Sequence, residues 1–208
     1  MIQFITDGNS VEVIIDQARK ALAGGVRWIQ LRMKDATPDE IKSVASVIVP
    51  MCHETEATVI VDDHVELVEA CGFDGVHLGK CDMDPRKARE ILGSDRIIGF
   101  TVNSADDAML AKTYPIDYVG VGPFRFTSTK KKLAEILGIE GISEIIKILG
   151  REIPSVVIGG ITVEDIAVVK SAGACGVAVS GAIAHAGDVQ SAADTFVKTD
   201  IEGTILDN

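Results

Sequence analysis

The stretch GVHLGKCDMDPRKAREILGSDRIIGFTV, residues 75–102, contains one complete strand–helix–strand unit. A short apolar run (75–79) precedes Asp84-Pro85, which is a helix start signal. Gly93 marks the expected end of the helix, and a second apolar run follows at 97–102. Strands that alternate with helices in this way lie parallel in one sheet. The stretch therefore predicts an α/β fold.

The same unit recurs along the chain. Strand candidates lie at residues 2–7, 28–34, 58–63, 75–79, 97–102, 118–123, 155–160 and 176–181. Helix start signals are Ser10, Thr37-Pro38, Asp84-Pro85, Ser104 and Thr162, and stop signals are Gly24-Gly25, Gly72, Gly93, Gly150 and Gly173. Eight units favour barrel closure, whereas five or six would favour an open doubly wound sheet. We predict a single (β/α)₈ TIM barrel over residues 1–199, followed by a loosely ordered tail, 200–208.

Composition limits the class of protein and its partners. The 208 residues are 47% hydrophobic and 25% charged, which is typical of a globular domain. The net charge of −11 argues against nucleic-acid or membrane partners. The four cysteines lack metal-ligand spacing, and neither a secretion signal nor an apolar run of about 20 residues is found. We expect a soluble cytoplasmic protein that acts on small molecules, and a homo-oligomer is left open.

The second strand has a polar face. Gln30, Arg32 and Lys34 are spaced at i, i+2 and i+4, so they project to one side, while Ile29 and Leu31 project to the other. The apolar side suits the outer helices, and the polar side then faces the barrel interior. Two interpretations are open: internal ion pairs with acidic residues of neighbouring strands, or a cationic stripe for phosphate or diphosphate. We favour the second.

Carboxylates follow the next two strands. Asp62-Asp63 end the third strand, and Asp82 comes shortly after the fourth. A single aspartate at a strand end is usually a turn former or a helix cap. Beside a cationic stripe, however, the group predicts Mg²⁺, which takes one or two carboxylates together with phosphate oxygens. His77, within the fourth strand, is interpreted as a hydrogen-bonded core residue.

The later strands carry features that suit a phosphate group. A long polar loop, 124–138, follows the sixth strand, and such loops are more often functional than accidental. Gly159-Gly160 and Ser180-Gly181 follow the last two strands. Glycines there allow backbone N–H groups to approach a ligand, at the position where barrels often bind phosphate.

These motifs together resemble the thiamine-phosphate synthase family. The matching stretches are QLRMK (30–34), DDHVEL (62–67), GVHLGKCD (75–82), IIGFTVNS (97–104), DYVGVGPFRFTSTKK (117–131), VVIGGI (156–161) and GVAVSGAI (176–183). They occur in the family's order and cover nearly the whole chain. The resemblance implies a transferase that joins 4-amino-2-methyl-5-(diphosphooxymethyl)pyrimidine to a thiazole phosphate and releases diphosphate.

The resemblance also implies residue roles. Asp63 and Asp82 would bind Mg²⁺, and Arg32, Lys34 and Lys130 would be catalytic, acting on the diphosphate. The substrate-binding set would be Gln30, Arg32, Lys34, Asp62, Thr101, Thr127, Ser128, Thr129, Lys130, Gly160, Ser180 and Gly181.

Three positions depart from the family's pattern. Asp62 stands where the family usually has Asn, Lys80 where it has Gln, and Thr101 where it has Ser. Our hypothesis is that Asp62 and Lys80 compensate each other electrostatically across neighbouring strands. Two alternatives to the synthase are a thiazole tautomerase on the same barrel and a non-catalytic regulatory barrel that binds phosphorylated metabolites.

Overall fold

The structure is a computed structural model that describes residues 1–8, 10–126 and 134–205. Within these residues, eight parallel strands close into a barrel, because β1 pairs with both β2 and β8. The strands are β1 (Ile2–Ile5), β2 (Trp28–Leu31), β3 (Thr58–Asp62), β4 (Gly75–Leu78), β5 (Ile97–Val102), β6 (Tyr118–Val121), β7 (Ser155–Ile158) and β8 (Gly176–Val179). The predicted (β/α)₈ barrel is confirmed.

Helices cover the outside of the barrel. They are α1 (Val11–Ala23), α2 (Pro38–Glu54), α3 (Val65–Cys71), α4 (Pro85–Leu92), α5 (Ala105–Ala111), α6 (Gly138–Leu149), α7 (Asp165–Ser171), α8 (Gly181–Ala184) and α9 (Val189–Ile205). None of the helices in the described ranges has both the length and the apolar character that a bilayer-spanning segment requires.

The predicted strands begin where the sequence indicated but tend to end earlier. β2 stops at Leu31 and not at residue 34, because Arg32 leaves the ladder and its backbone N–H donates to the Thr6 hydroxyl at 3.0 Å. The polar residues that follow β2 therefore lie on the rim of the barrel and not within the sheet.

Most predicted helix starts act through their side chains. The side chains of Ser10, Asp84 and Ser104 accept backbone N–H groups, and Thr37 forms a capping box with Glu40.

Thr162 is the exception, because α7 begins only at Asp165. The backbone N–H and the hydroxyl of Thr162 instead donate to the Asp165 carboxylate, at 2.8 and 3.0 Å. Gly173 likewise comes one residue after the C-cap of α7, which is Ala172.

Side-chain alternation separates two apolar layers. Ile29 and Leu31 belong to the large core between the strands and the helices. A smaller cluster faces the barrel interior and consists of Ile5, Ile60, Tyr118, Val156 and Ala178. Above this cluster, the inward positions become polar, which leaves room for a site.

The predicted domain boundary at residue 199 falls within α9, which continues to Ile205. Asp200 holds this part of the helix in place. It pairs with Lys170 of α7 at 3.1 Å and with the amino group of Met1. These partners are distant in sequence, so local composition does not reveal the contact. Residues 206–208 lie outside the described residues.

Candidate active site

One cavity of about 750 Å³ opens at the carboxyl ends of the strands. Its volume is within the range of small-molecule sites. Every predicted site residue within the described ranges lines it, namely Gln30, Arg32, Lys34, Asp62, Asp63, Asp82, Thr101, Gly160, Ser180 and Gly181. The other four, Thr127, Ser128, Thr129 and Lys130, lie outside the described residues. Phe126 and Ala134, which flank that gap, both line the cavity.

The basic edge of the cavity begins at β2. The Arg32 side chain is 13% exposed and lies between two carboxylates, with Nε 3.6 Å from Asp62 Oδ2 and an Nη atom 3.8 Å from Asp7 Oδ1. The alternative of internal ion pairing thus describes Arg32 in this structure. Both pairs are longer than ordinary charge-assisted hydrogen bonds, and Arg32 borders the cavity, where its guanidinium can reach an anionic ligand.

A pair of carboxylates lies beside this basic edge. Asp63 has a left-handed backbone with φ of 65°, and its N–H donates to the carbonyl of His77 at 2.9 Å. Burial is the largest cause that raises the pKa of Asp63 to about 7. The charges of Asp62 and Asp82 and a hydrogen bond with Asp82 add to the rise, and Lys34 opposes it. A positive charge beside Asp63 would offset the part of this rise that comes from Asp62 and Asp82.

Mg²⁺ suits this pair of carboxylates. Across the described ranges, no group of three or more His, Cys, Asp and Glu side chains is arranged to hold a metal ion. Asp63 and Asp82 are two carboxylates, which is the number that Mg²⁺ takes when phosphate oxygens and water complete its shell. Gly79 fixes Asp82 by donating its backbone N–H to Oδ2 at 2.7 Å.

Asp62 and Lys80 each contact other residues in this structure. Lys80 Nζ pairs with Asp107 Oδ2 at 3.0 Å, at the start of α5. Asp62 accepts a hydrogen bond from the Gln30 amide at 2.7 Å and faces Arg32. Electrostatic compensation between Asp62 and Lys80 across neighbouring strands stays a prediction.

The opposite edge of the cavity is built from the loops after β7 and β8. Gly160 has φ of +65°, and a Cβ there would lie 2.8 Å from the Phe126 carbonyl oxygen, so only glycine fits. Ser180 precedes α8, and its hydroxyl is buried without a hydrogen-bond partner among the described residues. A buried hydroxyl without a partner at the edge of a cavity suits a polar ligand.

Arg125 joins this edge to the long loop. Its guanidinium forms two hydrogen bonds with Asp165, one of 2.6 Å, and its backbone N–H donates to the Gly159 carbonyl at 2.9 Å. The Asp165 side chain is only 4% exposed. The start of the loop that follows β6 is thus attached to the glycine loop that follows β7.

Sequence reasoning missed several residues of the cavity. His77 is hydrogen-bonded, as predicted, but it lines the cavity and is only partly buried. Gln3, Asp7, Asn103 and His185 also line the cavity. In β4, alternate residues face the barrel interior. His77 is two residues from Gly75, within β4, and from Gly79, which follows it, so this alternation was the signal that could have placed His77 inside the barrel.

The fold and the cavity define a TIM-barrel protein with a mouth suited to phosphorylated small molecules. The sequence profile of the family described as "Thiamine monophosphate synthase" matches residues 2–183. The chain therefore belongs to the thiamine monophosphate synthase family.

Individual relatives agree with this assignment. The thiamine-phosphate synthase of Bacteroides fragilis (strain NCTC 9343) is 48% identical over 190 residues, which are 90% of this chain and 93% of the relative. That of Flavobacterium psychrophilum is 41% identical over 185 residues, or 88% and 90% of the two chains. The solved thiamine phosphate pyrophosphorylase of Pyrococcus furiosus superposes with a TM-score of 0.85 at 33% identity, covering 97% of this chain and 96% of that one. The predicted family and enzyme class are confirmed.

Proposed function

We propose that the chain condenses 4-amino-2-methyl-5-(diphosphooxymethyl)pyrimidine with thiazole phosphate to give thiamine phosphate and diphosphate. The observation that carries this proposal is the division of one cavity into two edges. A cationic and carboxylate edge lies on β2–β4, and a glycine and serine edge lies on β7–β8. Two different phosphate-bearing substrates would need two such edges facing each other.

The first edge would hold the diphosphate. Arg32 and Lys34 would contact it together with Lys130, and Gln30, Asp62 and Thr101 would contact the same substrate. Asp63 and Asp82 would hold Mg²⁺, which supplies positive charge that stabilises the departing diphosphate. Burial is the largest cause of the raised pKa of Asp63, but part of the rise comes from Asp62 and Asp82, and a bound cation would offset that repulsion.

The second edge would hold the thiazole phosphate. The backbone N–H groups of Gly160 and Gly181 and the unpartnered Ser180 hydroxyl are donors that suit phosphate oxygens. Thr127, Ser128 and Thr129 belong to the same proposed set.

The chemistry then needs orientation and charge stabilisation more than proton transfer. The bond between the pyrimidine methylene carbon and the diphosphate oxygen breaks, and its electron pair leaves with the diphosphate. The thiazole ring nitrogen then gives its lone pair to the methylene carbon. This nitrogen is neutral and carries no proton, so a general base is not required. Holding the two rings in line can contribute about 7–11 kcal/mol in favourable cases.

Incubation of the purified chain with both substrates and Mg²⁺ tests the proposal, with thiamine phosphate as the measured product. Product that depends on Mg²⁺ is the expected result. Synthase activity without any divalent ion would contradict the roles of Asp63 and Asp82. Conversion of a thiazole carboxylate phosphate isomer would indicate the tautomerase instead, and tight thiazole-phosphate binding without product would indicate a regulatory barrel.

Small-molecule substrates are consistent with the cavity's size. The cytoplasmic location and a homo-oligomeric state stay predictions.

A further inference from the structure

A continuous series of hydrogen-bonded side chains crosses the interior of the barrel. We name it the polar chain, and its members in order are Asp62, Gln30, Gln3, Tyr118, His77 and Thr101. They come from six different strands, and five of the six line the cavity. The polar chain thus connects Asp62 on β3 with Thr101 on β5.

In the first half of the polar chain, the donor and the acceptor of each hydrogen bond are fixed. We call this order of donors and acceptors the direction of the polar chain. Asp62 lies 3.6 Å from the Arg32 guanidinium, and a carboxylate paired with a cation only accepts hydrogen bonds. Gln30 must therefore present its amide nitrogen to Asp62, at 2.7 Å, and its amide oxygen to Gln3. Gln3 in turn presents its NH₂ group to Gln30, at 3.2 Å, and to Tyr118, at 3.0 Å.

The second half follows the same direction, because a buried hydroxyl needs an acceptor for its O–H. Tyr118 is 4% exposed, and its hydroxyl oxygen already accepts a hydrogen bond from Gln3, so its own O–H needs a separate acceptor. His77 Nδ1 is 2.8 Å from the Tyr118 oxygen and can accept it. Neutral His77 then carries its proton on Nε2, which lies 3.0 Å from Thr101 Oγ1. Thr101 Oγ1 accepts the hydrogen bond from Nε2–H, so the Thr101 O–H can donate to a group in the cavity.

We propose that Asp62 is a positioning residue that sets the direction of the polar chain, fixes His77 as the Nε2–H tautomer and makes Thr101 a donor to bound substrate. Only the last step rests on the proposed function, since it takes the substrate to be the pyrimidine diphosphate. Ring nitrogens and diphosphate oxygens of that substrate are acceptors, which a donating Thr101 complements. The reverse direction would offer the substrate no such proton.

The tautomer is measured by long-range ¹H–¹⁵N correlation spectra of the ligand-free protein labelled at histidine, with the His77 signals identified by their loss in His77→Gln. At a pH where the ring is neutral, His77 should favour Nε2–H by about tenfold or more, because the reverse leaves a buried partner unpaired. Asp62→Asn should give a mixture of tautomers, since an amide both donates and accepts. An unchanged tautomer in Asp62→Asn would overturn the proposal.

Two further variants distinguish an effect that passes through the hydrogen bonds of the polar chain from a general effect of removing a negative charge. Asp7→Asn removes the other carboxylate that faces Arg32, and it should leave the His77 tautomer as it is. A change as large as that in Asp62→Asn would mean that electrostatics, and not the polar chain, sets the tautomer. Gln3→Met interrupts the series at nearly constant volume and should also give a mixture. This variant keeps the test decisive if Asp62→Asn does not fold.

The donor role of Thr101 is tested in the synthase assay. Thr101→Val should raise the KM for the pyrimidine diphosphate by about tenfold, and Thr101→Ser should restore it. A Val variant with unchanged KM would contradict the donor role. Absence of product from the unmodified chain would instead refute the proposed function and leave the tautomer result standing.

Discussion

Asp63 is a non-glycine residue held in a left-handed backbone conformation, with φ of 65°, beside two other aspartates. Such a conformation costs free energy and persists only where the surrounding structure enforces it, which is common at functional sites. The hydrogen bond from its N–H to the His77 carbonyl supplies part of that restraint. The strained backbone directs the carboxylate toward Asp82, so the pair is built into the fold.

Replacing Asp82 tests the carboxylate pair. Asp82→Asn should raise the Mg²⁺ concentration needed for half-maximal synthase activity by about tenfold or more, because a ligand charge is lost. Asp84→Asn is the matched control, since Asp84 caps α4 and Asn is an equally good cap. Equal Mg²⁺ dependence in both variants would show that Asp82 is not a metal ligand. The measurement is initial rate against Mg²⁺ concentration.

Gly160 and Gly72 both have a positive φ, but only Gly160 lines the cavity. Gly160→Ala places a side chain at φ of +65° and crowds the Phe126 carbonyl, whereas Gly72→Ala, at φ of +76°, meets only Val49 at an ordinary contact distance of 3.8 Å. Both should lose about 1–2 kcal/mol of stability from the backbone alone. Only Gly160→Ala should also raise the KM for thiazole phosphate. A similar rise in Gly72→Ala would assign the effect to lost stability and not to the phosphate site.

At the scale of the elements, Arg125 and Asp165 connect the start of the loop after β6 with the segment after β7. Burial by itself raises the pKa of Asp165, but hydrogen bonds from Arg125 and Thr162 outweigh it and hold the pKa below its usual value. A carboxyl with this shift stabilises the fold above its unfolded pKa, and the stabilisation is lost as the pH falls through the folded pKa.

Asp165→Asn should therefore lower the free energy of unfolding at neutral pH. The difference from the unmodified chain should be constant above about pH 5 and shrink below about pH 4. The KM for thiazole phosphate should rise as well, because the glycine loop loses its side-chain connection to Arg125 at the start of the loop after β6. Urea unfolding across pH measures the first effect. Glu164→Gln, at the neighbouring N-cap position, is the control, and an equal loss of stability there would contradict the specific role of Asp165.

The elements show what the sequence could and could not predict. Alternation and helix punctuation located the strand starts and the caps at Ser10 and Thr37, because these signals lie within a few residues of each other. The polar face of β2 and the glycines after β7 predicted where the candidate site lies, because these signals are also local in sequence. Thr162 was mistaken for a helix cap because Asp165, three residues later, takes its hydrogen bonds. Inward residues such as Gln3 were missed because their partners lie across the barrel.

At the scale of the whole molecule, closure of the barrel depends on contacts between the two ends of the chain. β1 pairs with β8, and α9 packs against α1 and α7. Asp200 concentrates these contacts, since it pairs with Lys170 and with the Met1 amino group and its side chain is only 14% exposed. This network lies at the amino-terminal end of β1, opposite the cavity, so its contribution is to stability and not to substrate binding.

Asp200→Asn should lower the stability of the fold without changing substrate binding. Removing the charge leaves Lys170, which is 17% exposed, and the terminal amino group beside a neutral amide. We expect a loss of about 1–2 kcal/mol, smaller than for a fully buried pair, and hence a melting temperature lower by a few degrees. Asp194→Asn removes an exposed helical pair with Lys198 and should leave the melting temperature almost unchanged. Below the melting transition, both variants should keep the KM for each substrate. A changed KM in Asp200→Asn would mean that the two faces of the barrel are coupled, because strain at the closing helix would then reach the site through the strands.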